Sequence, residues 1–292
     1  MKQLLILSGK GGTGKTTVAG AFIHLSQAKA YADCDVEAPN LHLIAAWSAP
    51  PERADYLGMP IASIDPDRCT ECGRCLEHCR FDAIVAEPAH QVDPFACEGC
   101  GVCTLVCPTG AVSMEPAKAG ELALYQDGER AFSTARLSMG SGTSGKLVAE
   151  VKQRLQSAAK GAELAIIDGS PGIGCPVIAS ISGVDLILVV AEPSLSGISD
   201  LERILKTAET FQTGTAVCVN KYDVNPAKTA EIQEFCRRHD IPFVGLIPFD
   251  LAAVRAINNG KSVAEVDCSA GSAVRKIYQN TLALLFAAGE TA

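Results

Sequence analysis

The chain has 292 residues, about half of them hydrophobic, and a formal net charge of −8. That length suits one sizeable core domain carrying a small insert better than two large domains. The acidic balance, with no polybasic face, argues against a nucleic-acid partner, and no apolar run is long enough for stable membrane insertion.

In chain order, the N-terminal MKQLLILSGKGG has no charged stretch followed by a long apolar one. It reads as a first strand, Gln3–Ser8, and not as a secretory leader, so a cytoplasmic location is expected. Gly9–Gly14 is a glycine-rich turn. Lys15–Gln27 has helical spacing, with Val18, Phe22 and Leu25 in line, and Ala30–Asp33 is a second short strand. Residues 62–116 change texture: Cys, Pro and Gly dominate and apolar runs are short. Lys146–Ala159 returns to helical spacing on Leu147, Val151 and Leu155. Leu164–Ile167, Leu186–Val190, Ala216–Val219 and Phe243–Ile247 are nearly continuous apolar runs, suited to strands buried on both faces of a parallel sheet. Helical segments at 199–211 and 227–239 alternate with them, and Val274–Ala288 is a last helix. It carries Leu282, Leu284, Leu285 and Phe286 before Gly289-Glu290-Thr291-Ala292, with no basic face, and so reads as core packing and not as a membrane-surface helix. The alternation predicts a doubly wound, mostly parallel α/β fold over 1–61 and 117–292, with 62–116 inserted as a small α+β domain.

Gly9-Lys10-Gly11-Gly12-Thr13-Gly14-Lys15-Thr16 satisfies the Walker A pattern, with a strand before it and a helix after it. Glycines let backbone N–H groups turn inward around phosphate oxygens, and the helix N-terminus adds its positive end. Lys15 supplies charge to the β- and γ-phosphates, and the Thr16 hydroxyl, followed by Thr17, reaches Mg²⁺. Asp33-Cys34-Asp35 follows the second strand, Asp168-Gly169-Ser170-Pro171-Gly172 ends another, and Asn220-Lys221-Tyr222-Asp223 a third. As a bare pattern, the last is the guanine-reading N-K-x-D.

Lys10 makes the loop a deviant Walker A, and with it the chain resembles the MinD/ParA/Mrp group of P-loop ATPases. The resemblance implies an ATP-hydrolysing protein that dimerises, with itself or with a related ATPase, and whose Lys10 crosses to the partner's nucleotide. It implies a catalytic set of Lys10, Lys15, Asp35 and Asp168. Asp35 would orient the attacking or a Mg-bound water, Asp168 would be the Walker B acid, and the Gly172 N–H would face the γ-phosphate. It also favours ATP over GTP, with Asn220, Lys221 and Asp223 reading the base beside the loop Pro248-Phe249-Asp250.

Eight of the thirteen cysteines fall in the insert. Clustered cysteines in a cytoplasmic chain point to metal and not to disulfides. The insert repeats at 28 residues: Ile64-Asp65-Pro66 to Ala83-Ile84 matches Val92-Asp93-Pro94 to Ala111-Val112, and all four cysteines superpose. Cys69-x2-Cys72-x2-Cys75-x3-Cys79 and Cys97-x2-Cys100-x2-Cys103-x3-Cys107-Pro108 form the two-cluster bacterial ferredoxin pattern, in which the fourth cysteine of each run ligates the other cluster. Two [4Fe-4S] clusters are therefore expected, one on Cys69, Cys72, Cys75 and Cys107, the other on Cys97, Cys100, Cys103 and Cys79. Arg80 stands where the pattern has proline. Outside the insert, Cys34 and Cys175 flank the switch segments, Cys218 and Cys236 are expected in the core, and Cys268 stands alone.

The resemblance extends to MinD-type ATPases carrying an inserted ferredoxin domain. The first expectation is ATP binding and hydrolysis coupled to electron transfer, with a redox partner. A second is delivery of a cluster or metallocofactor to an apo-protein client. A third is a MinD/ParA-like positioning ATPase whose clusters are structural or regulatory.

Overall fold

The computed structural model describes residues 1–43, 47 and 49–287. The expected helix end at Ala288 and the tail 289–292 lie outside them. In chain order the elements are β1 (Lys2–Leu7), α1 (Lys15–Ser26), β2 (Ala30–Asp33), β3 (Glu52–Leu57), β4 (Ile61–Ile64), α2 (Arg74–His78), β5 (Ile84–Val85), β6 (Gln91–Val92), α3 (Val102–Val106), β7 (Val112–Glu115), β8 (Lys118–Asp127) and β9 (Arg130–Leu137). Then come α4 (Ser144–Ala158), β10 (Leu164–Asp168), α5 (Cys175–Ile181), β11 (Leu186–Ala191), α6 (Leu195–Thr210), β12 (Gly214–Asn220), α7 (Pro226–Arg238), β13 (Phe243–Ile247), α8 (Leu251–Asn258) and α9 (Ser269–Ala287).

The chain divides into two units. The larger comprises 1–53, 123–136 and 145–292, and the smaller 54–122 and 137–144. The main sheet has the order β13-β12-β11-β1-β10-β2-β9-β8-β3. From β13 to β9 every pairing is parallel. Parallel strands require covered faces, and β11 accordingly is buried along its whole length. Leu4, Ile6, Val18, Phe22, Ile166, Leu188, Val190, Val274 and Ile277 belong to one core cluster. Burying a side chain of that size contributes about 1.5–3 kcal/mol. The last helix adds Leu285, 1% exposed, to this core, whereas Phe286 stays half exposed. No helix among the described residues is long and apolar enough to cross a membrane.

Helix α7 shows how local chemistry sets a boundary. The Asn225 side chain accepts from the Lys228 N–H, and Pro226 occupies the first turn, where its missing N–H costs nothing. Strands β8 and β9 were not legible beforehand. Their sequences, KAGELALYQD and RAFSTARL, mix charged and small residues, and only Ala131 to Ala135 form a continuous buried run.

The smaller unit keeps the 28-residue repeat in three dimensions. β4 pairs with β7 and β5 with β6, both antiparallel, with Ile64 opposite Val112 and Ile84 opposite Val92. The Asp65 N–H donates to the Ala111 carbonyl at 2.8 Å, and the Asp93 N–H to the Ala83 carbonyl at 2.7 Å. Each half therefore closes the other's ladder, as a pseudo-two-fold axis requires. Helices α2 and α3 begin after glycines at matched φ, 74° for Gly73 and 75° for Gly101.

Candidate nucleotide site and cysteine cages

Because the strands are parallel, their carboxyl ends share one edge of the sheet. Gly9 follows β1, Asp35 follows β2, Asp168 ends β10, Glu192 follows β11, Asn220 ends β12 and Pro248 follows β13. Strand order reverses at β1, since the chain moves from β1 to β2 on one side and from β10 to β11 on the other. Ligands of open α/β sheets bind at that position.

The loop between β1 and α1 is shaped by close approach. Gly14 has φ +94°, and a Cβ there would lie 2.3 Å from the Asn220 Nδ2. That amide donates to the Thr13 carbonyl at 2.7 Å. Lys15 is buried, with its ammonium 2.6 Å from Asp168 Oδ1 and 3.8 Å from Asp35 Oδ2. The Thr16 hydroxyl donates to Asp168 Oδ2 at 2.6 Å. Burial pulls the Lys15 pKa down, but the adjoining Asp168 carboxylate outweighs it and leaves the lysine above its ordinary value. Burial raises the Asp35 carboxyl, opposed by Lys15.

Two expected site residues serve other contacts in this structure. The Gly172 N–H donates to the Ser8 carbonyl at 3.0 Å instead of standing free for a phosphate. Asp250 caps α8 through the Ala252 N–H and also accepts from the Ser269 hydroxyl and the Ala270 N–H. The base-reading loops are nonetheless neighbours, because Asp223 Oδ1 accepts from the Phe249 N–H at 2.8 Å. Pro248 opens the second of those loops, immediately after β13.

Lys10 folds back within its own chain. Its ammonium lies 2.9 Å from Glu192 Oε2 and donates to the Ser194 hydroxyl at 3.0 Å. Lys221 approaches Glu192 Oε1 at 3.3 Å and donates to the Gly12 carbonyl at 3.0 Å. Glu192 thus bridges two lysines beside the phosphate loop. Its carboxyl is pushed up by burial, but the hydrogen bonds from Lys10 and Lys221 carry it below the usual range. Sequence reasoning passed over Glu192, although an acid directly after a fully apolar run was a usable signal. It named Asp33 within Asp33-Cys34-Asp35 but gave it no role. That buried carboxylate accepts from the N–H groups of Asp35, Asn40 and Leu41, and burial and the Asp168 charge push it to about 7.

Cys34, Cys218 and Cys236 are all fully buried. Burial pushes the first two thiols up to about 12 and the third to about 11, which makes them inert core residues. Cys175 is exposed, and Cys268 lies between these extremes.

In the smaller unit, one cavity is lined by Cys69, Cys72, Cys75 and Cys107 and another by Cys79, Cys97, Cys100 and Cys103. Backbone N–H groups point at the fourth sulfur of each run: Ala83 to Cys79 at 3.4 Å, Ala111 to Cys107 at 3.2 Å. Burial raises the Cys75 and Cys103 thiols. At Cys107 a smaller desolvation is overcome by Thr109 and the Ala111 N–H, and the thiol falls below its ordinary value. Among the described residues no three His, Cys, Asp or Glu side chains stand close enough to hold a single metal ion.

A family model described as the CobQ/CobB/MinD/ParA nucleotide binding domain matches residues 4–263. An uncharacterized protein of Methanocaldococcus jannaschii is 30% identical over 282 residues, 95% of each chain. The septum site-determining protein MinD of Neisseria meningitidis serogroup B is 27% identical over 149 residues, 47% of this chain and 54% of its own. Among solved structures, MinD complexed with Mg-ADP from Pyrococcus horikoshii OT3 superposes with a TM-score of 0.59 at 16% identity, covering 100% of this chain and 98% of that one. That likeness is one of fold.

Proposed function

Starting from the fact that the chain belongs to the CobQ/CobB/MinD/ParA family of P-loop ATPases, we propose that it is a dimerising ATP switch whose smaller unit holds two [4Fe-4S] clusters in a regulatory role. The observation that carries the ATPase reading is the convergence of Lys15, Thr16, Asp35 and Asp168 where β1, β2 and β10 end. A hydroxyl beside a carboxylate suits a hard, oxygen-seeking cation, so Thr16 and Asp168 would hold Mg²⁺, with Asp35 near. Mg²⁺ held there would supply positive charge to the phosphate oxygens. The γ-phosphate competes with Asp168 for Lys15. Asp35 orients water, and Asn220 with Asp223 faces the base. Lys10 acts across the dimer once it leaves Glu192.

The family and the MinD likeness favour a positioning-type ATPase over the electron-transfer expectation. The cluster assignment draws support from the two cavities, each lined by four cysteines and each with one N–H aimed at sulfur. A lone Zn²⁺ at about 2.3 Å from each sulfur needs a tighter set than any found among the described residues. The same cavities favour a second reading, ATP-coupled electron transfer to a redox partner, because a cluster saturated by four thiolates is suited to passing electrons.

One preparation tests all of this. Anaerobic protein is expected to carry about eight irons per chain, the content of two [4Fe-4S] clusters. It should hydrolyse ATP and dimerise with ATP, and Lys15→Ala should abolish both. Hydrolysis that changes with cluster reduction while the potentials ignore nucleotide supports regulation. A nucleotide-dependent shift of about 59 mV, a tenfold linkage for one electron, supports coupled electron transfer instead. Iron that leaves for an added apo-protein would move the assignment to cluster delivery, and a protein without iron would refute the cluster assignment.

A further inference from the structure

The repeat makes the two cysteine cavities comparable position by position, and their polar linings differ: Thr70 and Thr109 of one stand where the other has Glu98 and Phe81, and one further position carries an imidazole. The cavity of Cys69, Cys72, Cys75 and Cys107 is also lined by His90, whereas the cavity of Cys79, Cys97, Cys100 and Cys103 is lined by Ala62. His90 and Ala62 occupy equivalent places in the 28-residue repeat. Both ring nitrogens of His90 are shielded from solvent and have no hydrogen-bond partner among the described residues. Buried polar groups are nearly always paired, so an orphaned imidazole beside four thiols marks a site made to face something. A neutral imidazole always carries one N–H, whichever nitrogen holds it, and so always has a hydrogen bond to give. The backbone donors do not break the symmetry, since Ala83 serves Cys79 as Ala111 serves Cys107. Two side-chain donors have no counterpart: the Thr109 hydroxyl, already 3.6 Å from Cys107 Sγ where the repeat has Phe81, and His90, the one of the two with no partner among the described residues.

We propose that His90 gives a ring N–H hydrogen bond to the cluster held by Cys69, Cys72, Cys75 and Cys107, a contact its repeat counterpart Ala62 cannot make, and so sets the two cluster potentials apart. This rests on the reading of the eight cysteines as cluster ligands. Hydrogen bonds to cluster sulfur stabilise the more negative, reduced form, and they are one of the principal levers on iron–sulfur potentials. The cavity with His90 therefore holds the cluster that is reduced first, and electrons entering the unit settle there.

The test uses the full chain, anaerobically loaded, with iron counted and both couples titrated by EPR. In His90→Leu at full iron, one couple should shift at least tenfold toward the oxidised form, which is 59 mV for one electron, while the other stays in place. His90→Gln, which keeps an N–H donor, should shift the same couple less. Two unmoved couples, or two that move equally, would overturn the proposal. If His90→Leu fails to hold iron, His90→Ala carries the same expectation. Loss of half the iron in all three variants would make His90 a ligand or a prop and overturn the donor role. Wild-type protein without iron would sink the cluster reading itself, a result distinct from a loaded protein whose couples do not respond.

Discussion

At the scale of single residues, the nucleotide site is held by close contacts with little room for change. Gly14→Ala places a Cβ 2.3 Å from the Asn220 amide in a left-handed backbone. The left-handed conformation alone costs about 1–2 kcal/mol for a non-glycine residue. The variant should lose at least that much in urea unfolding and bind ATP more than tenfold more weakly by calorimetry. Asp168→Asn removes the countercharge of an ammonium 2.6 Å away, at a carboxylate with no exposed surface. Lys15 then keeps only the longer contact to Asp35, at 3.8 Å, and breaking a buried pair by removing one partner costs about 3–5 kcal/mol. The nucleotide-free variant should be destabilised on that scale.

At the scale of elements, two side chains tie helix ends together. Lys152 on α4 is buried, and its ammonium donates to the carbonyls of Ser180 and Ser182 at 2.7 and 2.5 Å, closing the C-terminal end of α5. Lys152→Met leaves those carbonyls without that donor and should lower stability by about 1–3 kcal/mol, read from the urea midpoint at constant slope. Asp250 caps α8 and receives the start of α9. The Ser269 hydroxyl, with the N–H groups of Ala270 and Ala252, holds its carboxyl at about 2, against an ordinary 3.8. Because the folded value is the lower one, this contribution is full above about pH 4 and is lost as pH falls through 2. Asp250→Asn should flatten the acid limb of Tm between pH 5 and 2 relative to the wild type.

At the scale of the whole molecule, Glu192 decides where Lys10 points. The pair is partly exposed, and such contacts contribute about 0.2–1 kcal/mol. Glu192→Gln should therefore tighten ATP-dependent dimerisation a few-fold in sedimentation equilibrium, by releasing the lysine that acts across the dimer. A dimer that weakens instead would mean that Glu192 is needed in the assembled state.

The phosphate loop, the apolar parallel strands and the repeat of the insert were all legible in the sequence. Each depends on short-range spacing: glycines where the chain must turn around a phosphate, unbroken apolar runs where both sheet faces are covered, cysteines at fixed intervals. β8 and β9 were not legible, because their mixed composition becomes strand-like only where β9 pairs with β2 and β8 with β9, and α5 and α8 are too short to establish a helical period. The contacts of Lys10, Gly172 and Asp250 were likewise beyond reach. A motif specifies which groups line a turn, whereas their nearest partners come from elsewhere: Glu192 from the end of β11, Ser8 from the end of β1, Ser269 from the start of α9. Residue identity and spacing determined what chemistry this chain can hold. Only the packed sheet, by bringing separate strand ends to one edge, decided which charge faces which.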